Sequence, residues 1–348
     1  MKIKNNDLLT LDKFIEEYLY NKELGYYMKS DPFGKKGDFI TAPNISILFS
    51  EMIAIWIISF WESLNCPKQF NLIELGAGNG EMMKLLVNTF NKFPRFQNGC
   101  NIKILEKSAL LIRIQKKTIK KEKIKWLNNL NELNGLPCIF IANEFFDALP
   151  IKQFIKIKSK WYERHVKYNN QKKQEFLDIP FDIKKLEKKI EFKISYKQKF
   201  IEYSPIAFEY LKNITNKIKC NNGGILIVDY GYTDNKMKDT LQSVSKHKYA
   251  NVLNNFGNTD ITYNLSFNLI SQMLKKMGSF IHLTTTQKKF LIKLGILKRA
   301  EILSKNMPFS KKADMYFRVK RLIDDRQMGN LFKVMFATNK KNKFKLGF

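Results

Sequence analysis

Apolar residues along this chain form short continuous runs, and segments with helical spacing separate them. The runs predict strands at 71–75, 101–106, 124–127, 138–142, 225–232, 281–285 and 331–337. Apolar positions three and four residues apart predict helices at 9–20, 46–64, 108–120, 204–219, 267–277, 287–297 and 311–323. Strands that alternate with helices indicate an α/β fold with a doubly wound, Rossmann-like sheet.

Residues 1–66 are predicted to be an N-terminal helical segment, and residues 67–348 to be the Rossmann-like domain. Thr10 is placed to cap the first helix. The loop at 31–43 is rich in Gly and Pro but keeps aromatic residues. Such packed loops often carry function, although a purely structural loop fits the same pattern.

Residues 151–200 interrupt the alternation of strands and helices and are predicted to be an insertion. Two strands, at 154–158 and 161–166, flank a two-residue turn formed by Ser159-Lys160. A third strand near 175–177 extends this β-hairpin region.

Three glycines at alternate positions, Gly76, Gly78 and Gly80, follow the first strand of the domain and its acid, Glu74. A glycine turn lets the backbone approach a ligand closely, and the helix N-terminus behind it favours an anionic group. A dinucleotide fingerprint would need glycine where Glu81 stands. The spacing resembles motif I of class I S-adenosylmethionine (SAM) methyltransferases. A chance turn and a dinucleotide site are the alternatives.

Acidic residues end three of the predicted strands. Glu106 follows the second strand beside the glycine turn, where it can accept hydrogen bonds from ribose hydroxyls; a solvated strand-end acid is the alternative. Glu144 and Asp147 follow the fourth strand and could hold a cationic substrate, although Asp147 could also cap a turn. Asp229 ends the fifth strand on the same side of the sheet.

The formal net charge of +29 admits two interpretations. One is binding to nucleic acid or to another anionic surface. The other is the composition of an AT-rich genome, which would supply Lys, Asn, Ile and Phe throughout. Because the lysines are spread along the chain and rarely alternate with arginine or aromatic residues, we favour the second interpretation. Nucleic acid is therefore not expected as the partner.

The four cysteines and three histidines are isolated in the sequence. Their spacing favours neither a disulfide framework nor a metal site, so no metal is predicted. The start of the chain shows no apolar signal core, and the longest apolar run, 52–61, is too short to span a bilayer. A cytoplasmic enzyme without a transmembrane segment is expected.

Several blocks together resemble the MidA family of SAM-dependent methyltransferases, which includes a mitochondrial complex I assembly factor. The blocks lie at 25–28, 37–43, 74–78, 143–150, 229–232, 239–242, 260–262 and 328–335. Three positions depart from the family pattern. Asn44 stands where the family has Glu, and Asn264 and Ser266 stand where it has His and Asp. If these positions contact the substrate, the choice of substrate could differ.

The resemblance implies SAM as cofactor and methylation of a protein arginine, with the quinone-site subunit of respiratory complex I as the expected substrate. We expect Glu144 and Asp147 to hold the guanidinium, with Asp229 as a further catalytic candidate. The residues expected to bind the cofactor are Gly37, Asp38, Thr41, Glu74, Gly76, Gly78, Gly80, Glu106 and Asn143. Among them, Glu74 and the glycines would bind the amino-acid end, Glu106 the ribose, and residues 37–41 would close over it.

Three other functions fit parts of the pattern. An assembly chaperone would bind SAM without essential catalysis, and the net charge motivates an RNA methyltransferase. A nicotinamide oxidoreductase is disfavoured by Glu81, which replaces the third glycine of its fingerprint. The sequence leaves the oligomeric state open.

Overall fold

The computed structural model describes residues 8–29, 32, 41–120, 123–168, 174–245, 248–254, 256–281, 283–339 and 343–348, with only the backbone at 244, 245, 248, 249 and 281. The predicted cofactor residues Gly37 and Asp38 lie outside this description.

Strands and helices alternate through most of the chain. The strands are β1 (Leu8–Thr10), β2 (Phe70–Leu75), β3 (Cys100–Leu105), β4 (Lys125–Leu127), β5 (Cys138–Asn143), β6 (Lys152–Ile157), β7 (Lys160–Tyr168), β8 (Gln174–Pro180), β9 (Phe200–Tyr203), β10 (Gly223–Tyr232), β11 (Gln242–Ser245), β12 (Lys248–Ala250), β13 (Asp260–Thr262), β14 (Leu265–Ser266), β15 (Phe280–Ile281), β16 (Thr285–Thr286) and β17 (Phe332–Thr338).

The helices are α1 (Leu11–Tyr20), α2 (Tyr26–Lys29), α3 (Ala42–Ile45), α4 (Ile47–Ser63), α5 (Glu81–Phe90), α6 (Pro94–Gly99), α7 (Ala109–Ile119), α8 (Ile183–Ile190), α9 (Pro205–Asn221), α10 (Phe267–Lys276), α11 (Gln287–Lys293), α12 (Ile296–Ser304), α13 (Phe309–Ile323) and α14 (Met328–Leu331). A 3₁₀ turn spans Leu130–Glu132. Among the described residues, no helix is long and apolar enough to cross a membrane.

The central sheet has the strand order β15-β17-β10-β5-β2-β3-β4. Neighbouring strands from β10 to β4 are parallel, and β17 runs antiparallel to β10. The predicted α/β fold with a Rossmann-like sheet is confirmed. Because β2, β3, β5 and β10 are parallel, their carboxyl ends meet at one edge, as the positions of the predicted acids require.

A second sheet, with the order β1-β7-β6-β9 and β8 paired to β7, contains the predicted hairpin region. The turn between β6 and β7 consists of Lys158 and Ser159, one residue earlier than predicted. Both residues have positive φ, at 44° and 69°, as the tight turn of a hairpin requires. The third strand expected near 175–177 is part of β8. The predicted division at residues 66 and 67 stays a prediction.

Most predicted elements differ from the observed ones by a few residues at their ends, and three of them are divided or partly replaced by other elements. The first helix begins at Leu11, because residues 8–10 pair with β7 instead; Thr10 is at its N-cap but makes no side-chain capping bond. The helix expected at 287–297 is two helices, since Gly295 has a φ of 85° and ends the helical path. The strand expected at 281–285 is replaced by β15 and β16, which both pair with β17.

Helix α4 anchors one face of the sheet. Its N-cap residue, Ser46, accepts a hydrogen bond from the Leu48 amide at 3.3 Å. Phe60 on this helix is fully buried and lies 4.8 Å, between ring centroids, from Phe336 of β17. Trp56 packs edge-on against the same Phe336 at 5.0 Å. This aromatic packing fixes the helix against the sheet.

Removal of the Phe60 ring should destabilise the fold. We expect Phe60→Ala to lower the free energy of unfolding by about 3–5 kcal/mol, because the buried ring leaves a cavity among rigid aromatic neighbours. Urea unfolding followed by circular dichroism measures the change. The control is Phe93→Ala, whose side chain is 37% exposed and should cost less than about 1 kcal/mol. Equal losses in the two variants would contradict the role of the cluster.

Candidate active site

A cleft of about 1010 Å³, part of it open to solvent, lies at the carboxyl ends of the parallel strands. Its floor is the glycine turn after β2, and the loops after β3 and β5 form its sides. Helices α1, α2 and α9 contribute side chains to its walls. The polar and aromatic residues that line it are Glu16, Tyr20, Tyr27, Thr41, Glu106, Lys107, Glu144, Phe145, Asp147, Tyr210, Tyr230 and Asp260.

The three glycines form the predicted tight turn. Gly76, Gly78 and Gly80 have φ values of 65°, 52° and 83°, which side chains rarely adopt. Gly80 is the N-cap of α5. A Cβ atom on Gly76 would lie 2.8 Å from Cδ2 of Phe145. The sequence therefore needs glycine here for its backbone conformation, and at Gly76 also for space.

Glu74 lies under this turn, in a smaller pocket that it shares with Thr41, Asn44 and Asn143. Its side chain is 2% exposed, and Oε2 has no hydrogen-bond partner among the described residues. Burial, with the charge of Glu106 as a second cause, raises the pKa of Glu74 to about 8. Oδ1 of Asn143 is also buried without a partner in the described part of the chain. Two unpaired acceptors in one small pocket suit a ligand ammonium group.

Glu106 is held in a fixed orientation at the end of β3. Its Oε1 accepts a hydrogen bond from the Ser108 amide at 2.9 Å, and its Oε2 accepts one from Nε2 of Gln115 at 3.0 Å. Gln115 also donates to the carbonyl of Gly78 at 2.9 Å. Each carboxylate oxygen can accept a second bond, so Glu106 can still receive ribose hydroxyls. Burial raises the pKa of this carboxyl group.

Glu144 begins the loop after β5 in a strained conformation, with a φ of 51°. Its amide donates to the carbonyl of Val228 at 2.9 Å, which ties the loop to β10. Its Oε1 accepts from Nδ2 of Asn143 at 3.2 Å and from the Ala42 amide at 3.4 Å. Burial, and then the charge of Asp147, raise the pKa of Glu144 to about 8. The pKa of this carboxyl group therefore lies near neutral pH.

Asp147 lines the same cleft and is 5% exposed. The hydroxyl of Tyr230 donates to its Oδ2, whereas Oδ1 is buried without a partner among the described residues. Burial raises the pKa of Asp147 to about 6. Glu144 and Asp147 therefore form a pair of acids that share one cleft, as predicted.

Asp229 is fully buried and does not line the cleft. Its Oδ2 accepts from the amides of Phe146 and Asp147 at 3.2 and 3.3 Å, and its Oδ1 accepts from the Tyr230 amide at 3.0 Å. Burial, and then the charges of Asp147 and Glu144, raise its pKa well above the usual range. The structure places Asp229 to position the loop that carries Asp147, and this placement gives no support to the direct catalytic role expected from the sequence.

Comparison with known proteins identifies the class of site. A family model for S-adenosyl-L-methionine-dependent methyltransferases matches residues 52–284. The chain belongs to this family. It is a SAM-dependent methyltransferase, and the strand, glycine turn and helix at 70–90 are the elements that the sequence predicted to bind SAM.

Curated relatives are similar over nearly the whole chain. The protein arginine methyltransferase NDUFAF7 of Xenopus laevis is 29% identical, with 95% of this chain and 81% of the relative covered. The human protein of the same name is 28% identical, with 95% and 80% covered. A crystal structure of a COG1565 superfamily member from Burkholderia thailandensis, bound to S-adenosyl-homocysteine, has a TM-score of 0.82 at 22% identity and covers 98% of this chain and 90% of its own. It confirms the fold.

The residues present fit SAM. The unpaired oxygen of Glu74 is suited to the ammonium group of the cofactor, and Glu106 is suited to its ribose. The turn at Gly76 and Gly78 leaves backbone exposed to the cleft. Asn44, which replaces the Glu of the family pattern, donates to Oγ1 of Thr41 at 2.8 Å. Because Asn44 lines the pocket of Glu74, this departure lies on the cofactor side of the site.

Tyr20, Tyr27 and Asp260 also line the cleft, and the sequence predicted no role for them. The hydroxyl of Tyr27 donates to both carboxylate oxygens of Asp260, at 3.1 Å each. The rings of Tyr20 and Tyr27 stack with centroids 5.6 Å apart. Only the blocks at 25–28 and 260–262 could have pointed to Tyr27 and Asp260. Asn264 and Ser266, the other departures, do not line the cleft.

A side chain at Gly78 should prevent cofactor binding. We expect Gly78→Val to lose detectable SAM binding, because Gly78 lines the cleft and valine is strained at its φ of 52°. Calorimetry with SAM measures the loss, and circular dichroism checks the fold. Val87→Ala, on the helix behind the turn, is the control. A folded Gly78→Val protein with unchanged affinity would show that the turn does not hold SAM.

Proposed function

We propose that this enzyme methylates an arginine side chain of a protein. The pair of buried acids, Glu144 and Asp147, is the observation that carries the proposal, because it lies in one cleft with the glycine turn. Several relatives bear the name protein arginine methyltransferase, at 28–29% identity, and this supports the same substrate class.

A guanidinium group suits this cleft electrostatically. Arginine keeps its charge at any working pH, and its planar donors match carboxylate oxygens in pairs. Oδ1 of Asp147 is an acceptor without a described partner, and Glu144 lies in the same cleft. A bound cation favours the ionised form of both acids, which opposes the effect of burial on their pKa values. Tyr20, Tyr27 and Tyr230 add aromatic faces that can attract the cation.

The acids would also orient the nucleophile and manage its proton. Bound SAM supplies the methyl group. Glu144 and Asp147 would grip the guanidinium so that one nitrogen faces the methyl carbon, and such positioning accounts for much of the rate of transfer. As the nitrogen–carbon bond forms and the sulfur–carbon bond breaks, the nitrogen must lose a proton. We assign this proton to Glu144, because burial raises its pKa to about 8, near that of a useful general base.

The cleft gives no support to an RNA substrate. Among the described residues that line it, five carry carboxylates: Glu16, Glu106, Glu144, Asp147 and Asp260. Lys107 is the one lysine in this described lining, and its Nζ is 3.1 Å from Oε1 of Glu16. These carboxylates would repel a phosphate backbone, so the net positive charge of the chain does not favour RNA binding in the cleft.

Replacement of Glu144 should separate SAM binding from catalysis. We expect Glu144→Gln to retain SAM binding and to lower kcat/KM for an arginine peptide by about 100-fold or more, since a neutral amide neither pairs with the guanidinium nor accepts its proton. Peptide methylation followed by mass spectrometry measures the rate. Glu301→Gln, an exposed acid on α12, is the matched control. Unchanged activity of Glu144→Gln would remove this residue from the mechanism.

The activity should rise with pH. Asp147 and Glu144 have pKa values raised to about 6 and about 8, so the free enzyme gains its ionised, guanidinium-binding form as pH increases through this range. We expect kcat/KM of the wild type to increase from pH 6 to about pH 8, and Glu144→Gln to lose the upper part of this rise. A flat profile in the wild type would contradict the assigned ionisation states.

For the biological substrate we propose the quinone-site subunit of respiratory complex I, as the family resemblance implies. Mass spectrometry of this subunit from cells with and without the gene is the test. A methylated arginine that disappears on deletion, and returns with the wild-type gene but not with Glu144→Gln, is the expected result. A methylation pattern that does not depend on the gene would refute this substrate. Assembly restored by the inert variant would favour the chaperone function.

A further inference from the structure

Helices α12 and α13 meet at a corner that projects from the fold, which we define as residues 302–320. All ten residues from Lys305 to Asp314 are exposed. The buried residues of α13 are Val319 and Leu322, both in its second half. The first six residues of α13 therefore extend beyond the core without support from it.

This corner carries large apolar side chains at its surface. Phe309 is 85% exposed and Phe317 is 67% exposed. Together with Ala313 they stand at positions i, i+4 and i+8, so they form one row along the helix, on the side away from the buried Leu322. Ile302 and Met307 add apolar surface just before the helix begins. Exposed apolar patches of this kind usually mark a binding surface.

The same corner carries exposed lysines. Lys305, Lys311, Lys312 and Lys320 are exposed, and none of them forms an ion pair with a residue in the described ranges. Asp314, the acid of this corner, is already paired with Arg318, and Glu301, just before the corner, is paired with Lys298. The corner thus combines an apolar row with positive charge that no described acid neutralises.

We propose that this corner binds the surface of an anionic lipid bilayer. Phenylalanine side chains that enter the headgroup region, flanked by lysines that meet anionic lipids, are typical of helices that lie on a membrane. A second copy of the chain fits less well, because the same lysines would face each other across a two-fold interface. The proposal concerns association with a bilayer surface and is independent of the methylation substrate.

Flotation with lipid vesicles tests the proposal. We expect the wild type to bind vesicles of phosphatidylcholine with phosphatidylglycerol, and to bind phosphatidylcholine alone weakly. The double variant Phe309→Ser/Phe317→Ser should lower the partition coefficient by about tenfold or more, because it removes the inserted apolar surface. Both side chains are exposed, so the fold and the affinity for SAM should be unchanged.

A second pair of variants separates binding by this corner from non-specific attraction between the basic chain and anionic vesicles. Lys311→Glu/Lys312→Glu and Lys188→Glu/Lys189→Glu change the net charge equally, but the second pair lies on the exposed side of α8. We expect only the first pair to reduce vesicle binding strongly. Equal losses from both pairs, with no effect of the phenylalanine variant, would show non-specific attraction and overturn the proposal.

A tryptophan probe reports insertion directly. The spectrum of the introduced tryptophan is obtained by subtracting the wild-type emission from that of the variant. For Phe317→Trp we expect this spectrum to shift to shorter wavelength when anionic vesicles are added. Tyr196→Trp, at an exposed aromatic position of the loop after α8, should show no such shift. Light scattering measures the oligomeric state of the wild type and of the phenylalanine variant. A wild-type dimer that the phenylalanine variant dissociates, or binding to an acidic polypeptide in place of vesicles, would overturn the proposal in favour of a protein partner.

Discussion

The geometry of the cleft depends on the buried carboxylate of Asp229. It accepts hydrogen bonds from three backbone amides, and the two from Phe146 and Asp147 join the end of β10 to the loop that carries Glu144 and Asp147. A carboxyl group in this position, whether charged or neutral, is costly to bury without such partners. The position of the loop therefore depends on its contact with the strand. These bonds, together with the hydrogen bond from the Glu144 amide to the Val228 carbonyl, hold the strained backbone of Glu144 in place.

Several acids are confined to one edge of the sheet, and each disfavours the ionisation of its neighbours. The charge of Glu106 contributes to the raised pKa of Glu74, and that of Asp147 to the raised pKa of Glu144. The cofactor carries an ammonium and a sulfonium group, and the proposed substrate carries a guanidinium. The cationic groups of the cofactor and of the substrate would both reduce the repulsion between these carboxylates. Their binding is therefore coupled to the release of protons from these acids.

The sheet and the acids at strand ends were predictable because both follow from local patterns. An apolar run followed by an acid identifies β3 with Glu106 and β5 with Glu144 without knowledge of the rest of the chain. The positioning role of Asp229 was not predictable in this way, because the two amides of the loop that it binds are more than 80 residues away. The bond between Tyr27 and Asp260 joins residues 233 positions apart. No periodicity or motif spacing encodes contacts at such distances.

The acidic cleft belongs to a strongly basic protein. The cleft attracts a cationic substrate, whereas the rest of the protein repels it. A net charge of +29 repels a cationic polypeptide at long range, whereas the carboxylates attract a guanidinium within the screening length of about 8 Å at physiological salt. At the cleft wall, Lys107 is paired with Glu16 and lies over the ring of Tyr20, so its charge is partly neutralised. Recognition of the proposed arginine substrate must therefore come from contacts inside the cleft, and an arginine within a neutral or acidic segment would meet less repulsion than one in a basic segment.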